Sequence, residues 1–401
     1  MRILEINKFY FAKGGADKHF VDLVELLEST GNEVAVFSMR NANNKESRWK
    51  KYFVSLVGYT EGYSFKQKLK GIFRMFYSTE AKKKINVLLD KFKPDIVHIH
   101  NIYHQMSPSI LFEIKKRKIP IVMTVHDYKL ISPNHGLFLN GKTYNRCRNG
   151  KYYNCFLDKA VKNSYAKSFL AMLEAYWHGK ILKTFEKNVD RYIVPSKFAK
   201  RILLEEGVDE EKIIVLPHFI KKNKMKEELE ISESYALYFG RLTREKGVQD
   251  LIKIFDTIDG IRLYLAGEME NNFVTKENDR IKYLGYLDQE QLANYIKNSI
   301  CVVSGSKLPE TFGLTAMEAI ANGKPFLGYK SGAFPEIIEN GFNGFLAENQ
   351  ARLWNIISKV ANGEIKFNSK KIMKQAQIDF DAKKYSQKMI ELFEERICLT
   401  K

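Results

Sequence analysis

Apolar residues recur along this chain in two rhythms that alternate from the N-terminus onward. Short apolar runs at Arg2–Asn7 (RILEIN), Val34–Met39 (VAVFSM), Pro94–Asn101 (PDIVHIHN) and Ile119–Tyr128 (IPIVMTVHDY) read as buried strands. Between the first two, Phe20, Leu23, Val24 and Leu27 repeat at three- and four-residue spacing, which predicts a helix following Gly14 and Gly15. A strand, a glycine loop, a helix and a second strand in that order predict a βαβ unit and a parallel sheet. Ser64–Pro94 reads as one or two basic amphipathic helices with Phe65, Leu69, Ile72, Phe73 and Phe76 on one face. Lys129–Tyr165 reads as a long loop and Ser168–Val189 as one helix, followed by a strand and a helix capped by Ser196. After Lys212–Ile220 (KIIVLPHFI) a charged run, Lys221–Ser232, reads as a linker. The pattern then starts again. Tyr235–Gly240, Ile261–Gly267, Arg280–Leu287 and Ile300–Gly305 read as strands, with helices from about Val248, across Gln289–Lys297, from Asn349, and from Ala382 to Ile397. At 401 residues the chain exceeds one ordinary core, so the expected domains are 1–220 and 221–380, with 381–401 a terminal helix.

Composition narrows the class. Forty-five per cent hydrophobic and 28% charged residues describe a globular protein, and no apolar run approaches the ~20 residues of a membrane helix. No charged-then-apolar leader precedes the strand at Arg2, and four cysteines without a close CxxC pair fit a reducing compartment, so a cytoplasmic protein is expected. Cys147 and Cys155 flank a basic loop and are either plain loop or core residues, or a two-ligand metal or disulfide site. The net charge of +18 calls for an anionic partner. No RNP-like, helix-turn-helix or zinc-finger pattern is present, so nucleic acid is not expected. Ser64–Pro94 alone carries nine Lys and Arg against Glu80 and Asp90. That stretch is either an interfacial surface for anionic lipid or a helix pair packed on the sheet with a solvated lysine face.

The candidate chemistry centres on Ser304–Gly323 (SGSKLPETFGLTAMEAIANG), which joins a strand to a helix beginning near Gly313. First-turn amides at Gly313, Leu314 and Thr315 favour an anion, and Gly313 leaves room for a phosphate to approach. Glu310, just ahead of them, either caps the helix or accepts hydrogen bonds from sugar hydroxyls. Arg241 and Lys246 stand in another strand-to-helix loop and are either a diphosphate clamp or two solvated charges. Gly14–Gly15 forms either a tight turn or a second anion-friendly turn. His98 and His100 point to the same face of their strand, one expected in the core and one at its edge. His126 and Asp127 stand at the C-terminal end of a strand, where ligands of parallel α/β sheets bind. The only literal DxD, Asp379–Asp381, lies far in sequence from those strand ends, so no metal site is expected there.

Glu310 and Glu318, with seven residues between them in PETFGLTAMEA and followed by Gly323–Pro325, resemble the signature of family 4 retaining glycosyltransferases. Gly240–Gly247 (GRLTREKG) and Ser331–Leu346 (SGAFPEIIENGFNGFL) extend the resemblance over most of the C-terminal half, while the N-terminal half matches more loosely. His126–Asp127 also resembles the family's TxHD element, whose histidine faces the donor sugar. The resemblance implies a GT-B fold: two Rossmann-like α/β domains with parallel sheets facing across a cleft, the last helix returning to the first domain. It implies that Arg241, Lys246 and Gly15 hold the diphosphate of a nucleotide sugar and that Glu318 binds the ribose. It also implies that Tyr286 and Leu287 meet the base. Glu310 with the backbone of Thr311, Phe312, Gly313, Leu314 and Thr315 would hold the donor sugar and phosphate, and Glu310 and His126 would position and stabilise charge. No cofactor or metal is implied, because cations and helix amides take the metal's place. The expected acceptor is a saccharide, lipid-linked given the basic-aromatic segment, at the inner face of the cytoplasmic membrane. A nucleotide-sugar epimerase, a phosphorylase or a catalytically silent subunit on the same fold are the alternatives.

Overall fold

The computed structural model describes residues 1–57, 64–221, 231, 233–270 and 278–400. The run read as a linker lies outside them apart from Lys221 and Ile231, and nothing is described of the Phe65 side chain. The chain divides into two units, one of Met1–Leu137, Tyr144–Pro217 and Ala382–Lys401, the other of Phe138–Thr143 and His218–Asp381.

In the first unit the strands are β1 (Arg2–Ile6), β2 (Glu33–Phe37), β3 (Ile96–Ile99), β4 (Ile121–Thr124), β7 (Arg191–Val194) and β8 (Ile213–Val215). The short strands β5 (Phe138–Leu139) and β6 (Lys142–Thr143), which lie between β4 and β7 in sequence but belong to the second unit, form an antiparallel hairpin. The six-stranded sheet has the order β2-β1-β3-β4-β7-β8, with every pair parallel. The second unit repeats the plan with β9 (Tyr235–Phe239), β10 (Arg262–Ala266), β11 (Ile281–Gly285), β12 (Cys301–Val303), β13 (Phe326–Tyr329) and β14 (Gly344–Ala347), in the order β11-β10-β9-β12-β13-β14. Most of these strands are apolar on both faces, as burial between helix layers requires. Strand order reverses between β1 and β3 and between β9 and β12, so each sheet has a switch point where two consecutive crossovers diverge and leave a crevice.

The last helix, Ala382–Thr400, belongs to the first unit. Buried Tyr385 meets His19 Nε2 at 3.3 Å through its hydroxyl, and the buried Phe393 ring lies 5.6 Å from that of His98.

Several expectations change. Lys129–Tyr165 is not one loop: it holds the β5–β6 hairpin, a helix at Tyr153–Leu157 and single 3-10 turns, with Tyr128, Ile131 and Leu137 packed on Ile202. Ser168–Val189 is not one helix. An α-helix over Tyr165–Ala175 runs into a π-helical stretch, Tyr176–Ile181, and a separate helix, Thr184–Asn188, starts after left-handed Lys183. Its apolar spacing suited one long helix, but His178 is drawn inward by Met75 O at 2.8 Å and Thr184 Oγ1 at 3.0 Å. His98 and His100 are both completely buried, because Glu5 on the adjacent strand offers both rings a partner.

The basic segment forms two helices, Phe65–Phe76 and Thr79–Phe92. Arg74 does not join the solvated face. It is 2% exposed, donating to Ser55 O (2.6 Å), Ser55 Oγ (2.8 Å) and Glu80 Oε2 (2.7 Å). Lys70 and Lys84 also pair with Glu80, at 3.0 and 3.1 Å. Burial works to raise the Glu80 carboxyl, but hydrogen bonds from Ser55, Lys70 and Lys84 outweigh it and hold the group well below the usual carboxylate range.

Two glycine contacts shape the second unit's loops. A Cβ on Gly247, whose φ is +68°, would lie 1.8 Å from Gly305 O, and one on Gly305 would lie 2.1 Å from Gly247 O. Gly305→Ala is therefore expected to cost at least about 2 kcal/mol in urea unfolding, since backbone and not a flexible side chain blocks it. Glu80→Gln is expected to cost about 2 kcal/mol at pH 7, less than a fully buried pair because the carboxylate keeps part of its surface in water. A depressed folded pKa contributes stability above the unfolded carboxyl pKa of about 4.3 and loses it as pH falls. The difference from wild type should thus be full at pH 7 and shrink below about pH 4, followed by urea unfolding at each pH.

Candidate functional site

Apart from the last helix, the described helices of eight residues or more fall into two classes by their N-caps. Ser64, Ser78, Ser164, Ser196, Asp288, Asn349 and Asn368 each accept a backbone N–H through the side chain. Gly14, Gly247 and Gly313 offer no side chain, so three helices start with first-turn amides that no cap residue takes up. Those helices follow β1, β9 and β12, the strands that flank the switch points. Gly14 has extended backbone (φ −157°), so the Gly14–Gly15 pair is an open helix N-terminus and not a left-handed turn.

In the second unit the interlocked Gly247 and Gly305 draw the loops after β9 and β12 together, and Lys246 Nζ donates to Glu310 Oε1 at 2.6 Å. Ser306 Oγ donates to the same oxygen at 3.0 Å. Glu310 is therefore not the helix cap; its carboxylate turns to Lys246, and Gly313 is the N-cap residue. The loop after β13 braces it from behind. Ala333 N donates to Glu310 O at 3.0 Å and Ser331 Oγ to Leu308 O at 2.6 Å, while a Cβ on Gly332 (φ +56°) would lie 2.2 Å from Glu310 N. Tyr238 OH donates to Arg241 O at 2.8 Å, and burial, then the Glu310 charge, pushes that phenol above its ordinary value.

Arg241 extends its exposed side chain from the loop that carries Lys246, and half-buried Glu318 stands inside the helix Leu314–Ala321. Leu314 and Thr315 are half-buried in its first turn. Phe312 is a core residue, its ring packed on His218 and Phe380 at 4.9 and 5.9 Å, so only its backbone is available to a ligand. Gly313 is glycine for a different reason from the one expected. The space a Cβ would occupy is filled by the Phe334 ring at 2.7 Å, and φ is +113°. Tyr286, exposed, and half-buried Leu287 follow β11 at the edge of the same sheet. The structure thus gathers Arg241, Lys246, Glu310, Thr311–Thr315 and Glu318 on two neighbouring loops and the helix that follows the second of them.

Gly15 and His126 belong to the first unit, on the C-terminal sides of β1 and β4. His126 Nε2 lies 2.7 Å from His100 Nδ1, with the ring centroids 5.0 Å apart and the ring planes inclined by 19°. Ser306, Tyr238, Glu5 and Tyr385 were not singled out from sequence: Glu5 and Tyr385 act through partners distant in the chain, and Ser306 and Tyr238 through nearby loop residues that no pattern marks. Asp379 ends a helix and accepts from Gln375 Nε2 at 2.9 Å, while Asp381 forms a backbone bridge with Ile220, so the DxD is a helix terminus. Cys147 and Cys155 are free and buried, with Cys147 Sγ 3.7 Å from Tyr144 OH.

Comparison with known proteins gives the frame for this geometry. The sequence profile of Glycosyltransferase Family 4 matches residues 13–224, and that of Glycosyl transferases group 1 matches residues 220–378. An uncharacterized 42.6 kDa protein in the cps region of Klebsiella pneumoniae is 26% identical over 84% of this chain and 87% of its own length. The alpha-monoglucosyldiacylglycerol synthase of Acholeplasma laidlawii is 25% identical, with 86% of this chain and 84% of that protein covered. Among solved structures, Anabaena HepE in complex with UDP and glucose superposes with a TM-score of 0.66, at 16% identity over 98% of this chain and all of that one. The two parallel six-stranded sheets, the loops at their switch points and the family match over more than half of the chain agree: this protein belongs to glycosyltransferase family 4, and it is a glycosyltransferase of the GT-B type.

Proposed function

We propose that this glycosyltransferase transfers a sugar, with retention of configuration and without a metal, from a nucleoside-diphosphate sugar to a lipid-linked saccharide in the assembly of a surface polysaccharide. The observation that carries the donor reading is the Lys246–Glu310 pair beside the uncapped amides of Gly313, Leu314 and Thr315. An ammonium has three donors. With one engaged by Glu310, two are left among the described residues for phosphate oxygens, and Arg241 adds a bidentate fork. Glu310 accepts from Lys246 and Ser306 on Oε1, which among the described residues leaves Oε2 to accept from sugar hydroxyls. Glu318 is assigned to the ribose, the Tyr286–Leu287 backbone to the base, Gly15 to the diphosphate and His126 to the donor sugar. Cations and amides aimed at the leaving diphosphate supply stabilisation where charge develops, with no metal needed. Glu310 is held in an ion pair and is assigned to charge stabilisation and not to nucleophilic attack. UDP and glucose on HepE support the class of donor.

Support for a membrane-side acceptor comes from the surface of the first unit and from the relatives. Phe73 is 68% exposed on the helix Phe65–Phe76, with Leu69 and Tyr77 beside it. His178 ties the π-helical stretch to this helix, adding Trp177, whose ring lies 6.4 Å from that of Phe76, and Ile181, 63% exposed. Exposed Lys66 and Lys68 stand on the same helix as Leu69 and Phe73, the composition of a surface that inserts among anionic headgroups. No described helix is long and apolar enough to cross a membrane. One relative is named from a cps region and another as a synthase of a diacylglycerol glycolipid. The proposed location is the inner face of the cytoplasmic membrane.

Lys246→Ala and Glu310→Gln are each expected to lower transfer at least about 100-fold while leaving thermal unfolding unchanged, and wild-type transfer should persist in EDTA. Nucleoside diphosphate release measures this, with the donor picked by thermal shift from UDP-, GDP- and ADP-sugars. Near-wild-type turnover by either variant, or EDTA loss restored by magnesium or manganese, overturns the donor reading.

Sedimentation with phosphatidylglycerol vesicles tests the acceptor side. The protein should pellet at low salt, less at high salt, and less when Lys66 and Lys68 become Glu or Phe73 and Trp177 become Ser. Arg74 is left alone because it is internal. Wild type remaining in the supernatant at low salt refutes the membrane reading.

A further inference from the structure

Inside the first unit lies a polar cluster that the proposed transfer chemistry does not use. Glu5, His98 and Thr124, on β1, β3 and β4, and His100, directly after β3, are all fully buried. Glu5 and His98 are register partners on adjacent parallel strands, so their side chains share a face. His98 Nδ1 lies 3.0 and 3.1 Å from the two Glu5 oxygens, and its Nε2 lies 2.8 Å from Thr124 Oγ1. His100 Nε2 lies 3.2 Å from Glu5 Oε2, and His100 Nδ1 lies 2.7 Å from His126 Nε2. The helix Gly15–Ser29 and the last helix roof the cluster, Phe20 against His100 at 5.0 Å and Phe393 against His98 at 5.6 Å.

Proton positions follow from what each atom can do. A carboxylate only accepts, so the ring nitrogens facing Glu5 carry the protons. With its proton on Nε2, a neutral His100 has a lone pair at Nδ1 and must accept there. His126 therefore donates from Nε2, and its Nδ1 is the accepting atom. We propose that Glu5 and His100 are positioning residues which, through this chain of hydrogen bonds, hold His126 in one tautomer and one rotamer. His126 then meets the donor as an acceptor of a sugar hydroxyl's hydrogen bond. This rests on the assignment of His126 to the donor sugar. The same buried constellation also has the residue types of a two-histidine, one-carboxylate metal site, with ligand atoms within 4.8 Å of one another. We favour the hydrogen-bonded chain because each of these four contacts is a donor–acceptor match without an ion.

The test uses the full-length protein. His100→Leu removes the acceptor. His100→Gln keeps a donor toward Glu5 but puts no acceptor at the Nδ1 position, and serves if the leucine variant does not fold. His100→Asn keeps an amide oxygen near the Nδ1 position. In histidine-selective 15N spectra, wild type should show a protected Nε2–H on His126 that is lost in His100→Leu or His100→Gln and kept in His100→Asn. The same loss variants should lower kcat on the order of 10- to 100-fold with KM little changed, and His100→Asn should restore most of it. In a His126→Ala background the His100 change should have no further effect, since the two act as one unit. The proposal fails if the losses multiply in the double variant, if His100→Leu and His100→Gln keep kcat within about two-fold of wild type while His126→Ala does not, or if the purified protein carries one equivalent of zinc, iron or manganese by mass spectrometry. Full activity in His126→Ala instead overturns the assignment of His126 to the donor, and the protected N–H still decides whether the chain exists.

Discussion

The backbone contact between Gly247 and Gly305 is the constraint on which the second unit's chemistry depends. Two loops that follow neighbouring strands β9 and β12 can meet only because neither residue carries a Cβ. That approach sets Lys246 against Glu310 and leaves the helix at Leu314 starting with uncapped amides. The pair sits at a switch point, where the two crossovers from the sheet diverge. An isolated ammonium and an isolated carboxylate there would each meet a ligand through flexible rotamers. Paired, each fixes the other's direction and keeps spare hydrogen-bonding capacity.

The first unit has the same topology around its switch point but different contents. Gly14 again starts a helix without a side-chain cap, yet the polar core beside it is Glu5 with two imidazoles instead of a lysine. A buried carboxylate needs matched donors, and His98 and His100 supply them from the next strand. Only His126 in that series remains half-buried, so the chain runs from a sealed interior to the exposed end of the sheet. The return of the last helix completes the seal through Tyr385 and Phe393.

The excess positive charge is likewise divided by packing. Within the most basic stretch, Arg74, Lys70 and Lys84 converge on Glu80 and serve the fold. Lys66 and Lys68 remain exposed on the helix that also exposes Leu69 and Phe73. The net charge of +18 therefore overstates what any anionic surface can meet.

Much of this was legible in the residues alone. The alternating periods predicted parallel strands and helices in both halves, since side-chain spacing follows directly from backbone geometry. The spacing of Glu310 and Glu318, with Arg241 and Lys246 upstream, carried the family, because a loop between strand and helix places its residues locally. Tertiary structure decided the rest. The sequence could not say that Glu310 pairs with Lys246, 64 positions away, instead of capping its own helix. It could not say that Gly313 is glycine to admit Phe334, that Arg74 turns inward to Ser55 and Glu80, or that the apolar run after Ser168 breaks at Lys183. Local pattern fixes which way a side chain points along its own element. Which partner waits there depends on contacts between segments far apart in the chain, and the cost of leaving a buried charge or N–H unmatched decides among them.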